Sequence, residues 1–334
     1  MKVQRMAVIG VGLIGGSLAK AARKNNFATS VVGYSLNYSE TKLGVELDVI
    51  DEAVESIELA VDGADLVVLA VPVKAFEKTL SDLKPYLKTG AVITDVGSVK
   101  GCFLEAVNCV FGSVPDYIVP GHPIAGSEKS GVISADERLY EQHKVIITPL
   151  SHTRPDAVAL VRRMWEFCGA TVLEMTVQRH DEVLAATSHL PHLLAFSLVD
   201  TLAGEDDNQE IFRYAAGGFR DFTRIAASDP VMWHDIFLAN QDALLRVLDH
   251  FNEDLNELRK AIESRDSQHP LGVFTRAKSA REHFTKILSG QSYTNTMNTK
   301  NIIFKMKPGG TVNGSIRVAG DKSMSHRSIM LGAL

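Results

Sequence analysis

Met6-Ala7-Val8-Ile9-Gly10-Val11-Gly12-Leu13-Ile14-Gly15-Gly16-Ser17 is the stretch on which the reading of this chain turns. An apolar run meets Gly10, and Gly10, Gly12 and Gly15 follow in G-x-G-x-x-G spacing, opening a helical pattern over Leu13–Lys24. The first glycine permits the tight turn, the second lets the backbone approach a pyrophosphate, and the third lets helix pack on strand. The helix N-terminus then offers N–H groups to an anion. Glycines alone would mark only a tight turn; the strand before and the helix after make the pattern a dinucleotide signature. Further strand-like runs recur at residues 30–34, 66–71, 91–95, 117–120 and 145–149, most of them separated by helix-length stretches. Continuous apolar runs in that alternation predict a parallel sheet covered on both faces. Residues 1–150 are therefore expected to form an α/β, doubly wound, Rossmann-type dinucleotide-binding domain.

The cofactor contacts expected are Gly10, Gly12, Leu13, Ile14 and Gly15 in the loop, Ser35 after the second strand, and Val71 and Pro72 after the run at 66–71. At Ser35 an NAD enzyme usually offers Asp or Glu to the ribose hydroxyls. That acid is missing, yet no Arg or Lys stands between Ser35 and Thr41 to grip a 2′-phosphate. The reading taken is NAD, with NADP left open.

After residue 150 the texture turns helical apart from a short segment at 171–175, most clearly where Leu244, Leu248, Phe251, Leu255, Leu258 and Ile262 recur at four- and three-residue steps. Residues 151–289 are expected to form an all-helical substrate and dimerisation domain. The stripe suits a partner subunit in a homodimer and an intramolecular core equally well. Residues 290–304, rich in Ser, Thr and Asn, read as a linker, and residues 305–334 belong to something else.

With 334 residues, 45% of them hydrophobic, the chain can fill two cores. A formal net charge of -5 leaves no broad basic surface, which argues against a nucleic-acid partner. No run reaches the ~20 apolar residues of a membrane span, and the N-terminus enters a strand without a leader pattern, so a cytoplasmic protein with no membrane partner is expected. Cys102, Cys109 and Cys168 are odd in number and lack metal-ligand spacing, so neither a disulfide framework nor a metal site is indicated.

Four segments carry candidate chemistry. Asp95-Val96-Gly97-Ser98-Val99-Lys100 and Gly121-His122-Pro123-Ile124-Ala125-Gly126-Ser127-Glu128 follow strands, at the carboxyl ends where ligands bind such sheets. Thr187-Ser188-His189-Leu190-Pro191-His192 and the stretch from Gly217 to Pro230, with Arg220, Asp221 and Arg224, lie in the helical part. A histidine near neutral pKa can take a hydroxyl proton during alcohol oxidation, and a guanidinium pairs with a carboxylate through two hydrogen bonds. Read alone, His122 is as readily a structural loop histidine, Ser98 an ordinary loop serine, and Arg220 a surface ion-pair partner of Asp221.

Together, G-x-G-L-I-G-G-S, D-V-G-S-V-K, G-H-P-I-A-G-S-E, S-H-L-P-H and F-T-R-I-A-x-S-D-P resemble the prephenate and arogenate dehydrogenases over residues 6–288. The resemblance implies oxidative decarboxylation of prephenate to 4-hydroxyphenylpyruvate, or of arogenate to tyrosine, with His122 as proton acceptor and Ser98 holding the same hydroxyl. Arg224 matches the anchor of the ring carboxylate, with Arg220 as the alternative, and His192 matches a substrate contact. Ser188 and His189 stand beside it, His189 being equally a packed helix histidine. Glu128, Asp221 and Trp233 match positions around the pocket. A dehydrogenase for 3-hydroxy acids would lack S-H-L-P-H and T-R-I-A-x-S-D-P, and a non-enzymatic nucleotide sensor would not need His122 with Arg224.

From Lys307-Pro308-Gly309-Gly310 to Gly320-Asp321-Lys322-Ser323-Met324-Ser325-His326-Arg327-Ser328 the chain resembles the start of the 5-enolpyruvylshikimate-3-phosphate synthases. That resemblance implies a fusion of two aromatic-pathway enzymes cut just inside the second, with too little of it for activity.

Overall fold

The computed structural model describes residues 3–126, 129–206 and 208–288. Six parallel strands, β1 (Val3–Ile9), β2 (Ala28–Tyr34), β3 (Glu52–Ala53), β4 (Leu66–Leu69), β5 (Val92–Asp95) and β6 (Ile118–Val119), pair in the order β3-β2-β1-β4-β5-β6. Along them alternate side chains enter opposite cores. Met6, Val8, Val31, Leu66 and Val68 pack on one face and Ala7, Ile9, Val32, Val67 and Leu69 on the other. Burial on both faces is why these strands read as continuous apolar runs, and each fully buried Val, Leu or Ile contributes roughly 1.5–3 kcal/mol. Helices α1 (Leu13–Lys24), α2 (Tyr38–Glu46), α3 (Ile57–Val61), α4 (Phe76–Leu83) and α5 (Lys100–Phe111) join the strands. The strand order reverses between β1 and β4, the switch point beside which such sheets bind ligands.

At Pro120, which has no N–H to give a ladder, the chain leaves this sheet and starts a second one of β7 (Gly121–Ile124), β8 (Lys144–Ile147) and β9 (Thr171–Glu174). The apolar run at 145–149, expected as a further parallel strand, is corrected here: β8 lies antiparallel to β7, with His122 opposite Ile146, and parallel to β9. An edge position in that sheet tolerates Pro123 in β7. Helix α6 (Pro155–Phe167) connects β8 to β9, so residue 150 falls between two paired strands and the strand-free part of the chain starts at Val177.

That part comprises α7 (Val177–Leu184), a π-helical turn (Ala185–His189), α8 (Leu190–Ala203), α9 (Asn208–Arg213), α10 (Gly217–Thr223), α11 (Pro230–Ala239), α12 (Gln241–Glu263) and α13 (Gln268–Leu288). The π turn fuses α7 and α8 into one stretch, Val177–Ala203, long and apolar enough to cross a membrane. The sequence reading expected no such stretch. Its buried His180 and His189 bond to other side chains of the protein, which marks a helix packed against polypeptide.

The chain divides into two compact units, Met1–Lys260 and Ala261–Leu334. Within the first, Leu244 of the α12 stripe is buried, Leu248, Phe251 and Leu258 are half-buried, and Leu255 is 51% exposed. In the second, Ile262, Leu271 and Phe274 are exposed. Glu128, the expected linker at 290–304 and the expected fragment at 305–334 lie outside the described residues.

Candidate active site

The glycine loop is shaped by contacts that only hydrogen permits. Gly10 has φ +101°, and a Cβ there would stand 2.3 Å from the Ala70 carbonyl oxygen; one on Gly15 would stand 2.0 Å from the Gly10 oxygen. Gly12 differs, because a Cβ there would meet nothing within 4 Å, so its backbone borders open space at the N-terminus of α1. The first N–H groups of a helix lack intrahelical acceptors, and α1 has neither a side-chain cap nor an acid in its first turn. The N–H groups of Leu13, Ile14 and Gly15 at this uncapped helix start are therefore candidates to meet a pyrophosphate. Gly10 N–H donates to the Tyr34 carbonyl at 2.8 Å, and Val11 N–H to Ser35 Oγ at 2.8 Å. Ser35 therefore follows the last residue of β2 and braces the loop. Val71 stands beside Gly10, and Pro72 leads into a short 3-10 turn, Val73–Ala75.

The next group of residues holds one strand end. Lys100 and Asp95, both fully buried, form an ion pair. Asp95 accepts from Gly97 N–H at 2.9 Å and Gly121 N–H at 3.1 Å, while Lys100 Nζ donates to the Gly121 carbonyl at 2.7 Å. Both polar groups of Gly121 are thereby clamped, directly before His122. Removing one member of such a pair would strand a buried charge, at a cost of about 3–5 kcal/mol. Ser98, between these two residues in sequence, is half-buried.

His122 is 8% exposed, and its Nδ1 lies 2.8 Å from Nε2 of His180, which is fully buried. Nδ1 of His180 lies 2.7 Å from Asp181 Oδ1. Asp181 also accepts the N–H groups of Lys100 at 2.9 Å and Gly101 at 2.8 Å, at the start of α5. Burial pushes the Asp181 carboxyl up, but His180 and these two amides outweigh it and hold it below the usual carboxylate range. Burial, reinforced by the charges of His180, Lys100 and His189, drives His122 well below the usual histidine value. Burial also lowers His180, against the pull of Asp181. His122 is thus a neutral base near pH 7.

A third group is presented by the π turn, a feature that often marks functional sites. His192 Nδ1 donates to the Ser188 carbonyl at 2.8 Å, and its ring stacks on Trp233 with centroids 3.6 Å apart. Burial lowers its pKa, and the charge of Arg224 lowers it further, which places Arg224 within electrostatic reach. His189 Nδ1 faces Asn240 Nδ2 at 3.1 Å, and that same amide donates to the Asp181 carbonyl at 2.9 Å. Burial brings the His189 pKa down to about 4. Its Nε2 and the Trp233 indole nitrogen are buried and lack a hydrogen-bond partner among the described residues. Native proteins rarely leave such donors unpaired, which makes them candidates for a ligand or water.

Of the residues expected from sequence, His122 and His189 come within electrostatic reach of each other, and His192, Ser188, Trp233 and Arg224 gather around one stacked pair. Arg220 and Asp221 are exposed on α10, and Glu128 lies outside the described residues. Sequence reasoning missed Asp95, Lys100, His180, Asp181 and Asn240. Asp95 and Lys100 stood inside a quoted motif, so a carboxylate at a strand end five residues from a lysine was the available signal. Nothing in the spacing marked His180-Asp181.

Residues 18–174 match the family model for the nucleotide-binding domain of prephenate dehydrogenase, and residues 176–275 the model for its dimerization domain. The chain is 40% identical over 281 residues to the cyclohexadienyl dehydrogenase of Zymomonas mobilis, covering 83% of this chain and 95% of that one. It is 37% identical over 278 residues to the prephenate dehydrogenase of Bacillus subtilis, covering 82% and 74% respectively. Among solved structures, the prephenate dehydrogenase of A. aeolicus in complex with hydroxyphenyl propionate and NAD+ superposes with a TM-score of 0.79 at 38% identity, over 85% of this chain and 99% of that one. A separate likeness of 67% over 36 residues, 11% of this chain and 8% of the relative, is to the 3-phosphoshikimate 1-carboxyvinyltransferase of Hydrogenovibrio crunogenus. On the glycine loop, the two matched domains and the relatives 40% and 37% identical over 83% and 82% of its length, this chain belongs to the prephenate dehydrogenase family.

Proposed function

We propose that this chain oxidises and decarboxylates prephenate, arogenate or both, with NAD as acceptor, in the formation of tyrosine. The observation that carries this is the buried, neutral His122 near the start of β7, beside donors without partners, in a chain whose sheet switch point is shaped for a dinucleotide. The cradle of Leu13, Ile14 and Gly15 would hold the pyrophosphate, with Val71 and Pro72 along the adjoining strand end. The absence of a basic residue between Ser35 and Thr41 favours NAD over NADP. The nicotinamide, when bound, supplies the acceptor for the hydride leaving the carbinol carbon.

His122 Nε2 takes the hydroxyl proton as that carbon becomes a carbonyl, and Ser98 orients the hydroxyl. Arg224 pairs with the ring carboxylate. Electrons of the breaking carbon–carboxylate bond enter the ring, carbon dioxide leaves, and aromaticity makes the step irreversible. His192, Ser188, His189 and Trp233 bound the substrate, with Glu128 and Asp221 assigned to the pocket rim by their motif positions.

The assay is growth of reduced-nicotinamide absorbance with prephenate, arogenate and a 3-hydroxy acid in turn, using NAD and then NADP. Turnover of the 3-hydroxy acid alone would overturn the reading. His122→Asn should lower kcat by about 10²–10⁴ with KM little changed, as loss of a general base acts mainly in the transition state.

The helical region is assigned to a homodimer, supported by the dimerization-domain match and by Leu255, Ile262, Leu271 and Phe274 standing exposed in the single chain. For the residues after 304, the 36-residue likeness supports reading them as the start of a fused carboxyvinyltransferase-type sequence.

A further inference from the structure

We propose that His180 and Asp181 are positioning residues that set the tautomer of His122, keeping the Nε2 lone pair directed to the substrate hydroxyl. This rests on His122 being the proton acceptor.

Counting protons along the chain of bonds fixes each tautomer. An ionised carboxylate only accepts, and Asp181 takes three N–H donors: Lys100 and Gly101 from the backbone and Nδ1 of His180. His180 therefore carries its proton on Nδ1. It is fully buried and neutral, so its Nε2 has a lone pair and no hydrogen. That lone pair faces Nδ1 of His122 at 2.8 Å, and two lone pairs would repel at this distance. His122 must carry its proton on Nδ1, which leaves Nε2 free to accept. When Nε2 takes a proton, the new charge is connected through His180 to the Asp181 carboxylate, as an acid behind an imidazole supports a catalytic base elsewhere.

The anchoring makes this more than two packed histidines. Asp181 is held by the first two amides of α5, directly after the loop that carries Ser98, so the hydroxyl-binding loop and the base are fixed to one carboxylate. Asn240 donates to the Asp181 carbonyl and thereby ties α11's end to the same point. Charged and titratable groups facing His122 are Lys100, His180 and His189.

The test is Asp181→Asn beside His180→Gln in the full-length enzyme. Asp181→Asn removes the charge and, with its NH₂ in the place of Oδ1, would donate to His180, reverse the tautomer of that ring and put the His122 proton on Nε2, giving up the bond from Lys100 N–H. We expect kcat to fall by about 10²–10⁴ while KM and NAD affinity stay within about threefold, and the acid limb of the kcat profile to move to lower pH. Gln in place of His180 can still accept the Nδ1 proton of His122, so that variant should lose less, about tenfold. Imidazole ¹⁵N shifts of His122 should report Nδ1 protonation in the wild type and Nε2 protonation in Asp181→Asn. Wild-type protonation at Nε2, or a folded Asp181→Asn enzyme of near-normal turnover, would overturn the proposal. If Asp181→Asn does not fold, the wild-type spectrum and His180→Gln decide. Normal turnover in His122→Asn would instead remove the base assignment itself, so the two failures are told apart.

Discussion

Arg224 opens the 3-10 turn after α10, exposed in the single chain, with its charge felt at the His192 ring. A guanidinium that anchors a carboxylate contributes a charge-assisted bidentate pair worth roughly 1.5–3 kcal/mol. Arg224→Ala should therefore raise KM about 10–100-fold, with a smaller fall in kcat and no change in cofactor affinity. Lysine should rescue only part, because it keeps charge without the planar fork. A larger KM rise in Arg220→Ala would move the anchor to α10. At this scale the readable residues were those inside motifs. His122 and Arg224 stand there; His180 acquires its role only because folding brings it to a residue 58 positions away.

Among elements, the end of β2 is where the proposed cofactor ribose would lie. Ser35 follows Tyr34 and accepts from Val11 N–H, a bond an aspartate could keep. Ser35→Asp should thus retain the loop, offer a carboxylate to the ribose hydroxyls and repel a 2′-phosphate. Its ratio of kcat/KM for NAD over NADP should rise above that of the wild type; an unchanged ratio would mean that the ribose lies elsewhere. The runs behind β1, β2, β4, β5 and β6 were legible because burial on both faces leaves no polar alternation. The two-residue β3 was not, being too short for any period, and β8 read as parallel because its short apolar run at 145–147 looks alike in either sheet.

At the scale of the molecule, the strand core is closed and the helical faces are not. On the proposed homodimer, Leu255→Glu should shift the enzyme from twice the chain mass to the chain mass in sedimentation and reduce stability, since a charge would enter the apolar face assigned to the interface. An unchanged mass with normal activity would detach that face from the interface. Stability should also depend on pH through the buried neutral histidines. His122, His180 and His189 bind protons less readily folded than unfolded, so between about 6.5 and each folded value the unfolded state holds more protons and stability rises with pH. For His189, lowered to about 4, this amounts to roughly 3 kcal/mol lost as pH falls through that window. Denaturant midpoints at pH 7 and pH 5 test it, and His189→Gln should flatten the slope. Equal midpoints in the wild type would contradict it.

The sequence by itself determined the dinucleotide-binding sheet, the place of the glycine loop and the family, because these depend on local periodicity and on glycines whose role is set by neighbours in the chain. Tertiary structure alone decided that residues 121–174 build a second sheet and that Asp95 and Lys100 clamp Gly121. It alone also placed a carboxylate and a second histidine behind His122. Each depends on hydrogen bonds between residues remote in sequence, whose partners are chosen by how the layers pack.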